Sequence, residues 1–397
     1  MSSVQPSDSR HVVMILRHFT VGGLERVLLS HVRILLASGC QVTVCILDPG
    51  RDNALIAELP PKARLVTAPR SRLARHLFLT RLVRGKTVLL QFGDGRLYPS
   101  IRPALHTADT VIRFCHSDYS HLRTRAKNAL DRALAGFEDH IVAVGGRSTR
   151  FLLDDVGVPA TKVSTLTNAT EPRTTPAAPP WPWASDPYVV AVQSLYPHKG
   201  HDALLHAFAR VVDQADEPVR LVIIGDGDQT IPLRLLADRL RITDHVIWLG
   251  AVWHKDLVDS VLAGARGFVS MSRFEGVPIS ILEARQHGLP LVLTDIPGHR
   301  DGAGASPATF VPVGDTEAFA HHVLALLRSP RTHQHDTPLL QEEWERYAHA
   351  FISMVAPTCI PISGTAPSPP ASAEVGPFSG LPAREGNPET ARVNGPE

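Results

Sequence analysis

Long apolar runs are missing from this chain of 397 residues, and no stretch reaches the ~18 continuous apolar residues that a membrane span needs. The apolar run Val12 to Leu16 follows a polar Met1 to Arg10 and is too short for the core of a signal peptide. Cysteine is scarce as well. Cys40, Cys45, Cys115 and Cys359 are scattered, and none belongs to a C-x-x-C pair, which excludes a disulfide framework and a cysteine-based zinc or redox centre. A reducing cytoplasmic location is the expectation, with any membrane contact made peripherally from the inner face. An excess of either charge is also lacking: 40 Lys+Arg stand against 39 Asp+Glu, a formal charge of +1. That excludes a strongly basic nucleic-acid coat and an acidic disordered chain, and no nucleic-acid partner is expected. With 44% hydrophobic, 20% charged and 6% aromatic residues, the remainder is an ordinary globular composition, long enough for two or three domains.

What is present is an alternation of short apolar runs with longer segments of helical period, the pattern of a parallel sheet covered by helices. His11 to Leu16, Gln41 to Leu47, Thr87 to Phe92, Thr110 to Cys115 and His140 to Val144 read as strands. Between the first two, Glu25 to Ala37 sets Val27, Leu28, His31, Ile34 and Leu35 on one helical face and stops at Ser38-Gly39. A second series runs through Tyr188 to Gln193, Arg220 to Ile224, His245 to Leu249, Gly267 to Ser270 and Leu291 to Thr294. Six prolines in the seventeen residues from Glu171 to Pro187 make a stiff linker that continues neither sheet. The expected organisation is therefore an N-terminal Rossmann-like domain over 1–170, a linker over 171–187 and a C-terminal Rossmann-like domain over 188–335. An amphipathic helix follows over 336–355, and then a disordered tail over 356–397, which has nine prolines, five glycines and few large apolar residues. Two doubly wound α/β domains joined this way face each other across a cleft.

The strongest local signal is Ser270 to Pro290, which reads strand, loop, helix, turn. Pro278 sits where a first-turn proline is tolerated, and Glu283 lies about 7.5 Å further along the helix axis at ~1.5 Å per residue. The free N–H groups of Val277, Ile279 and Ser280, at the positive dipole end of the helix, suit a phosphate or diphosphate, while a carboxylate at Glu283 suits a ribose diol. Glu275, before Gly276 in the loop, points toward whatever lies beyond the phosphates. The plainer alternative makes Glu275 a helix cap and Glu283 an exposed helix carboxylate, and spacing does not choose between them.

The two glutamates with seven residues between them in EGVPISILEA, followed by GLP, resemble the donor-nucleotide segment of the family 4 (group 1) retaining glycosyltransferases. That resemblance implies the GT-B arrangement of two Rossmann-like domains and extends over about Val12 to Leu327. Its other elements occur in the family's order. Phe19 to Val27 is similar to the GG-x-E loop that faces donor and acceptor, with Gly22 and Gly23 allowing close backbone approach. Val190 to Phe208 matches the first strand, loop and helix of the donor domain, so that Lys199 resembles the lysine that neutralises the donor diphosphate. Ser194 stands where the family usually has a second cation, an arginine; His198, Arg273 or an N-domain arginine are candidates to replace it.

His116, in VIRFCHSD, occupies the place of a family histidine that approaches the transferred sugar, where it would bond a hydroxyl or shuttle a proton near neutral pH. With 20 histidines in the chain, an ordinary structural role for it stays open. Asn168 matches an Asn-Gly turn but precedes Ala169, which favours a structural role. Asp226-Gly227-Asp228 resembles a D-x-D metal site, yet it follows a buried strand at a glycine-rich turn, so a turn role is favoured and no essential metal is expected.

Pro69 to Lys86 carries six Arg/Lys and no acidic residue around Leu73, Leu77, Phe78, Leu82 and Val83. It reads first as a domain helix packed by its leucines with a solvated basic face, and second as a peripheral membrane contact through 70–86.

The resemblance implies transfer of a sugar from a UDP- or GDP-linked donor, which is a substrate and not a cofactor, to a saccharide or lipid-linked hydroxyl acceptor. Lys199, Glu275 and His116 would act at the reacting sugar. Gly22, Gly23, Gly276, Val277, Ile279, Ser280 and Glu283 would complete the donor site. A catalytically impaired nucleotide-sugar-binding subunit and a nucleotide-sugar epimerase share the architecture as alternatives.

Overall fold

The computed structural model describes residues 11–20, 22–48, 54–91, 98–116, 124–172, 185–252, 254–330 and 337–357. Most of the proline-rich linker and all of the expected tail beyond residue 357 lie outside the described residues. The first sheet has seven strands: β1 (His11–Leu16), β2 (Gln41–Ile46), β3 (Arg64–Thr67), β4 (Thr87–Leu90), β5 (Thr110–Cys115), β6 (His140–Ala143) and β7 (Val163–Thr165). Their spatial order is β3-β2-β1-β4-β5-β6-β7, and every pairing is parallel. The second sheet contains β8 (Tyr188–Val192), β9 (Arg220–Ile224), β10 (Val246–Gly250), β11 (Gly267–Ser270), β12 (Leu291–Thr294) and β13 (Ala308–Val311). It is also wholly parallel, in the order β10-β9-β8-β11-β12-β13.

The central strands are nearly continuous runs of Val, Ile and Leu because helices cover both faces, and each sheet accordingly has separate apolar clusters on its two faces. The sequence reading found these strands and missed β3, β7 and β13. All three are edge strands of three or four residues with half-exposed side chains, so no apolar run marks them. Both sheets belong to one compact unit ending at Ile362; the second unit, Ser363–Glu397, lies outside the described residues.

The first N-lobe helix, Gly23–Ala37, starts two residues before the apolar period does and closes where expected, with Gly39 at φ +80°. The last helix, Thr337–Val355, places Trp344, Tyr347, Phe351, Ile352 and Val355 in the same apolar cluster as β1, β2 and Gly23–Ala37. The chain therefore returns from the second sheet to finish the core of the first. Phe351 is wholly buried, with its ring stacked on His31 at 4.0 Å between centroids. Truncating it removes a large core side chain that nothing else can replace. Phe351→Ala is expected to lower unfolding free energy by about 3–5 kcal/mol, read from urea denaturation of the whole chain.

Candidate functional site

In an open α/β sheet, ligands bind beyond the carboxyl ends of the strands where the strand order reverses. In the second sheet that point lies between β8 and β11, and the loops leaving these two strands carry Lys199 and Glu275. Lys199 ends a short turn, Pro197–Lys199, and its Nζ donates to both Glu275 carboxylate oxygens at 2.7 Å. Glu275 Oε1 also accepts from the Ser272 hydroxyl at 2.8 Å and from Gln193 Nε2 at 3.3 Å. Gln193 Nε2 lies 2.9 Å from both Ser270 Oγ and Ser272 Oγ. Beyond Ser270 the network ends at His299, whose Nε2 is 3.1 Å from Ser270 Oγ and whose Nδ1 is 2.8 Å from the Thr294 carbonyl.

A carbonyl only accepts, so Nδ1 carries the His299 proton and Nε2 accepts from Ser270. Burial pushes this imidazole down to about 4, which keeps it neutral near pH 7. Burial raises the Glu275 pKa, but the Lys199 ammonium and the hydrogen bonds from Lys199 and Ser272 outweigh it and hold the carboxyl below its ordinary value. Glu275 is thus a buried, ionised carboxylate that depends on one lysine.

Glu283 follows on the helix Ile279–Gln286, whose N-cap Pro278 makes no side-chain cap bond. Glu275 is therefore not the cap of this helix, and Glu283 is not an exposed carboxylate. Its Oε1 lies 3.3 Å from Lys255 Nζ, with both side chains about one-tenth exposed. Lys255 also pairs with Asp259, which in turn lies 3.1 Å from His287 Nε2. Burial acts to raise the Asp259 pKa, yet the His287 hydrogen bond and Lys255 bring it down to about 2. Sequence reasoning missed Lys255, Gln193, Ser270, Ser272 and His299. Gln193 carried a signal in its position at the end of the strand that starts the second sheet.

The N-lobe meets this segment directly. A Cβ on Gly276 would lie 2.4 Å from the His116 carbonyl oxygen, and one on Gly298 would lie 2.1 Å from the Gly276 carbonyl. Glycine at 276 is therefore required by close packing of the N-lobe, and glycine at 298 by close packing of the 297–303 helix on the 275–276 backbone. Val27 joins Val277, Ile279 and Leu282 in one apolar patch, and a Cβ on Gly23 would lie 3.3 Å from the Ile279 side chain. Asn168 Nδ2 lies 3.4 Å from the Val277 carbonyl, which gives this residue the structural role its context suggested. Gln286 donates to Thr170 Oγ1 and to the Glu171 carbonyl at 2.7 and 2.8 Å. The side chains of Val277 and Ile279 thus serve lobe contact, leaving only their backbone for a ligand.

His116 Nε2 lies 2.8 Å from Gln91 Oε1, at the carboxyl end of β4. Burial pushes its pKa down to about 4, so at pH 7 this ring is a neutral hydrogen-bonding group, which of its two possible roles favours a bond to a hydroxyl over proton shuttling. Glu25 lies in the first turn of its helix; burial raises its pKa, and hydrogen bonds from its own and the Thr20 backbone and from the Thr20 hydroxyl oppose that.

Ser194 is exposed. Arg273, a candidate for the missing cation, bonds Asp202 at 2.7 Å and the Pro197 carbonyl, while His198 stacks on Phe274 at 4.5 Å. Asp226 accepts from Gly227 N at 2.8 Å and from Thr230 Oγ1, the turn role expected for it. Among the described residues, no group of three or more His, Cys, Asp and Glu is placed to hold a metal ion.

A cavity of about 40 Å³ lies between the first N-lobe helix and Ile279–Gln286, lined by Arg26, Arg33, Lys255, Glu283 and Gln286 among others. A larger hollow, about 350 Å³, is lined by Tyr196, His198, His201, Asp202 and Arg273 but by neither Lys199 nor Glu275. The smaller space is lined by neither Lys199 nor Glu275 as well; of the two, it is the one that Glu283 lines.

Residues 180–348 match the family model described as glycosyl transferases group 1. The C-terminal lobe thus matches a glycosyltransferase family. The two parallel-sheet lobes are those of the GT-B fold. Anabaena Alr3699/HepE in complex with UDP-glucose superposes with a TM-score of 0.65 at 16% identity, over 87% of this chain and 95% of that one. The apo form of the lipopolysaccharide outer core galactosyltransferase WaaB gives a TM-score of 0.60 at 18% identity, over 86% and 98%. By sequence, the chain is 26% identical over 214 residues to the phosphatidylinositol N-acetylglucosaminyltransferase gpi3 subunit of Schizosaccharomyces pombe, over 49% of this chain and 46% of that protein. It is 28% identical over 132 residues to the N-acetyl-alpha-D-glucosaminyl L-malate synthase of Bacillus anthracis, over 33% of each. The chain spans about half or less of the length of these curated relatives. Glu275, Glu283 and Lys199 all fall inside the family match.

The Lys199–Glu275 pair makes stability depend on pH. Because the folded carboxyl titrates below its ordinary 4.5, the pair's contribution is complete above that pH and is lost as pH falls through the lower folded value. In Lys199→Met the carboxylate keeps its burial and loses its partner. The substitution is expected to cost about 3–5 kcal/mol at pH 7, with the deficit shrinking toward pH 4.5 as Glu275 takes up a proton. Urea titrations of both proteins at the two pH values check this; equal deficits would count against it.

Proposed function

We propose that this protein is a retaining, metal-independent glycosyltransferase that moves a sugar from a nucleoside-diphosphate sugar to a hydroxyl acceptor in polysaccharide or glycoconjugate synthesis. The observation that carries the reading is the Lys199–Glu275 ion pair at the reversal point of the second sheet, with Gly276 against His116 of the facing lobe. The group 1 family match over the donor lobe supports it.

In this reading the diphosphate sits at the start of Ile279–Gln286, where the backbone N–H groups and Lys199 take up the charge that grows as the anomeric C–O bond breaks. Glu283 accepts from the ribose diol once Lys255 turns aside. Glu275 contacts the sugar, and His116 bonds one of its hydroxyls as a neutral ring. The acceptor oxygen attacks the anomeric carbon on the face the leaving group departs from, and its proton passes to a phosphate oxygen of the leaving group. A nucleotide sugar needs several hundred cubic ångströms, far more than the cavity of about 40 Å³ beside Glu283, so the lobes part to admit it and close to exclude water.

Purified protein with a pool of UDP- and GDP-sugars and saccharide or lipid-linked acceptors is expected to give a donor-dependent transfer product by mass spectrometry. Lys199→Ala should lower turnover by about 10²–10³, and Glu283→Ala should weaken donor nucleotide binding by about 10-fold or more. A second reading, a nucleotide-sugar-binding subunit without turnover, draws on the exposed Ser194 in place of a cation. It is distinguished by donor binding without transfer or hydrolysis.

The helix Arg72–Val83 supports a further part of this reading, contact of the acceptor side with an anionic membrane surface. Leu79, Leu82 and Val83 bury into the lobe, but Leu73 and Leu77 stay 70% and 50% exposed among exposed Arg70, Arg72, Arg81 and Arg84. The helix thus packs on the lobe through Leu79, Leu82 and Val83, with Leu73 and Leu77 left outward beside its basic face. No helix among the described residues is long and apolar enough to cross a membrane. The protein is expected to co-sediment with vesicles containing phosphatidylserine, and each of Arg72→Ser and Arg81→Ser to weaken binding roughly fivefold, at ~1 kcal/mol per arginine. Equal sedimentation with neutral vesicles would remove this contact.

A further inference from the structure

His116 is the near end of a chain of buried polar side chains drawn from four separate elements. Its Nε2 lies 2.8 Å from Gln91 Oε1, Gln91 Nε2 lies 3.2 Å from His31 Nδ1, and His31 Nε2 lies 2.6 Å from the Tyr347 hydroxyl. His31 and Gln91 have no exposed surface, and Tyr347 is buried too. The His31 ring is also fixed in orientation, stacked at 4.0 Å on Phe351 and tilted at 4.9 Å against Phe114.

A neutral imidazole has one donor and one acceptor, and a side-chain amide has a donor end and an acceptor end. Burial lowers the pKa of both histidines, so both rings are neutral near pH 7. Each member of such a chain therefore passes on the polarity it receives. If the Gln91 oxygen faces His116, then His116 Nε2 must carry a proton; the Gln91 amide then donates to His31 Nδ1, and His31 Nε2–H donates to the tyrosine oxygen.

We propose that Gln91, His31 and Tyr347 are positioning residues that fix His116 as the Nε2–H tautomer and present its Nδ1 as a hydrogen-bond acceptor at the lobe interface. None of the three is placed in the donor site; they act through His116. The inference rests on the reading of His116 as a sugar-contacting residue only for its catalytic consequence. The tautomer itself is a property of the ligand-free protein. An acceptor at Nδ1 orients one sugar hydroxyl as a donor, whereas the opposite tautomer would offer a donor there and reverse that preference.

The test uses the full chain labelled with nitrogen-15 in its histidine rings, with two-bond proton–nitrogen correlation spectra and His31 and His116 assigned from single-site variants. Both rings are expected as single Nε2–H tautomers. Tyr347→Phe removes one oxygen and keeps the ring; although Tyr347 is two residues removed from His116 along the chain of bonds, the His116 nitrogens should shift toward the Nδ1–H form. In transfer assays the same variant should lose roughly 10-fold in kcat, as do other outer groups that orient a histidine, with donor KM within about twofold. Should Tyr347→Phe not fold, Gln91→Met, of similar length and without polar atoms, is expected to leave both rings as tautomer mixtures. An Nδ1–H His116 in the unmodified protein overturns the proposal, as does a His116 spectrum unmoved by these variants. A tautomer shift in a protein that transfers no sugar leaves the positioning chain standing and removes the transferase reading.

Discussion

A carboxylate taken out of water must be held by charge and hydrogen bonds, or it takes up a proton. Glu275 is such a group, and much of the C-lobe site is arranged around it. Lys199 supplies the charge through two bonds of 2.7 Å, and Ser272 and Gln193 fill further acceptor positions. The neutral His299 closes the network behind them. The lysine proposed to receive a diphosphate is thus already committed to a glutamate, and donor binding must redistribute that charge without leaving the carboxylate unpaired. A bound sugar whose hydroxyls donate to Glu275 while the phosphates draw on Lys199 meets the requirement.

The two lobes repeat one device. Each sheet reverses its strand order once, between β1 and β4 or between β8 and β11, and at each reversal a buried glutamine organises the polar groups. Gln91 bridges two histidines in the N-lobe, and Gln193 bridges two serines and Glu275 in the C-lobe. Amides suit these positions because they supply donors and an acceptor without adding charge to a dry site. The glycines at 276 and 298 then let the backbones approach closely enough for the two networks to lie on either side of one loop.

Much of this fold was legible because its physics is local. Central parallel strands are buried on both faces, so β1, β5, β8 and β9 announce themselves as apolar runs, while the short edge strands β3, β7 and β13 carry no such mark. At the site, the sequence motifs singled out Lys199, Glu275, Glu283 and the paired glycines as candidates. They did not single out the partners that determine their ionisation. Lys255 reaches Glu283 from 28 positions away, and His31 meets Tyr347 from 316 positions away, separations at which no periodicity survives. The choice between the two roles open to His116 was not legible for a related reason: burial sets its pKa, and burial is a property of the packed lobe.

The last helix has a consequence for how the molecule is made. Phe351 and Tyr347 complete the core begun by β1, yet every strand of the second sheet is synthesised before them. On the ribosome the N-lobe waits, with the hydrophobic seat of that helix uncovered, until the nascent chain has emitted the entire C-lobe. The C-lobe, by contrast, has its two apolar clusters entirely within its own sequence. The half of the molecule that is translated first is therefore the half that finishes folding last.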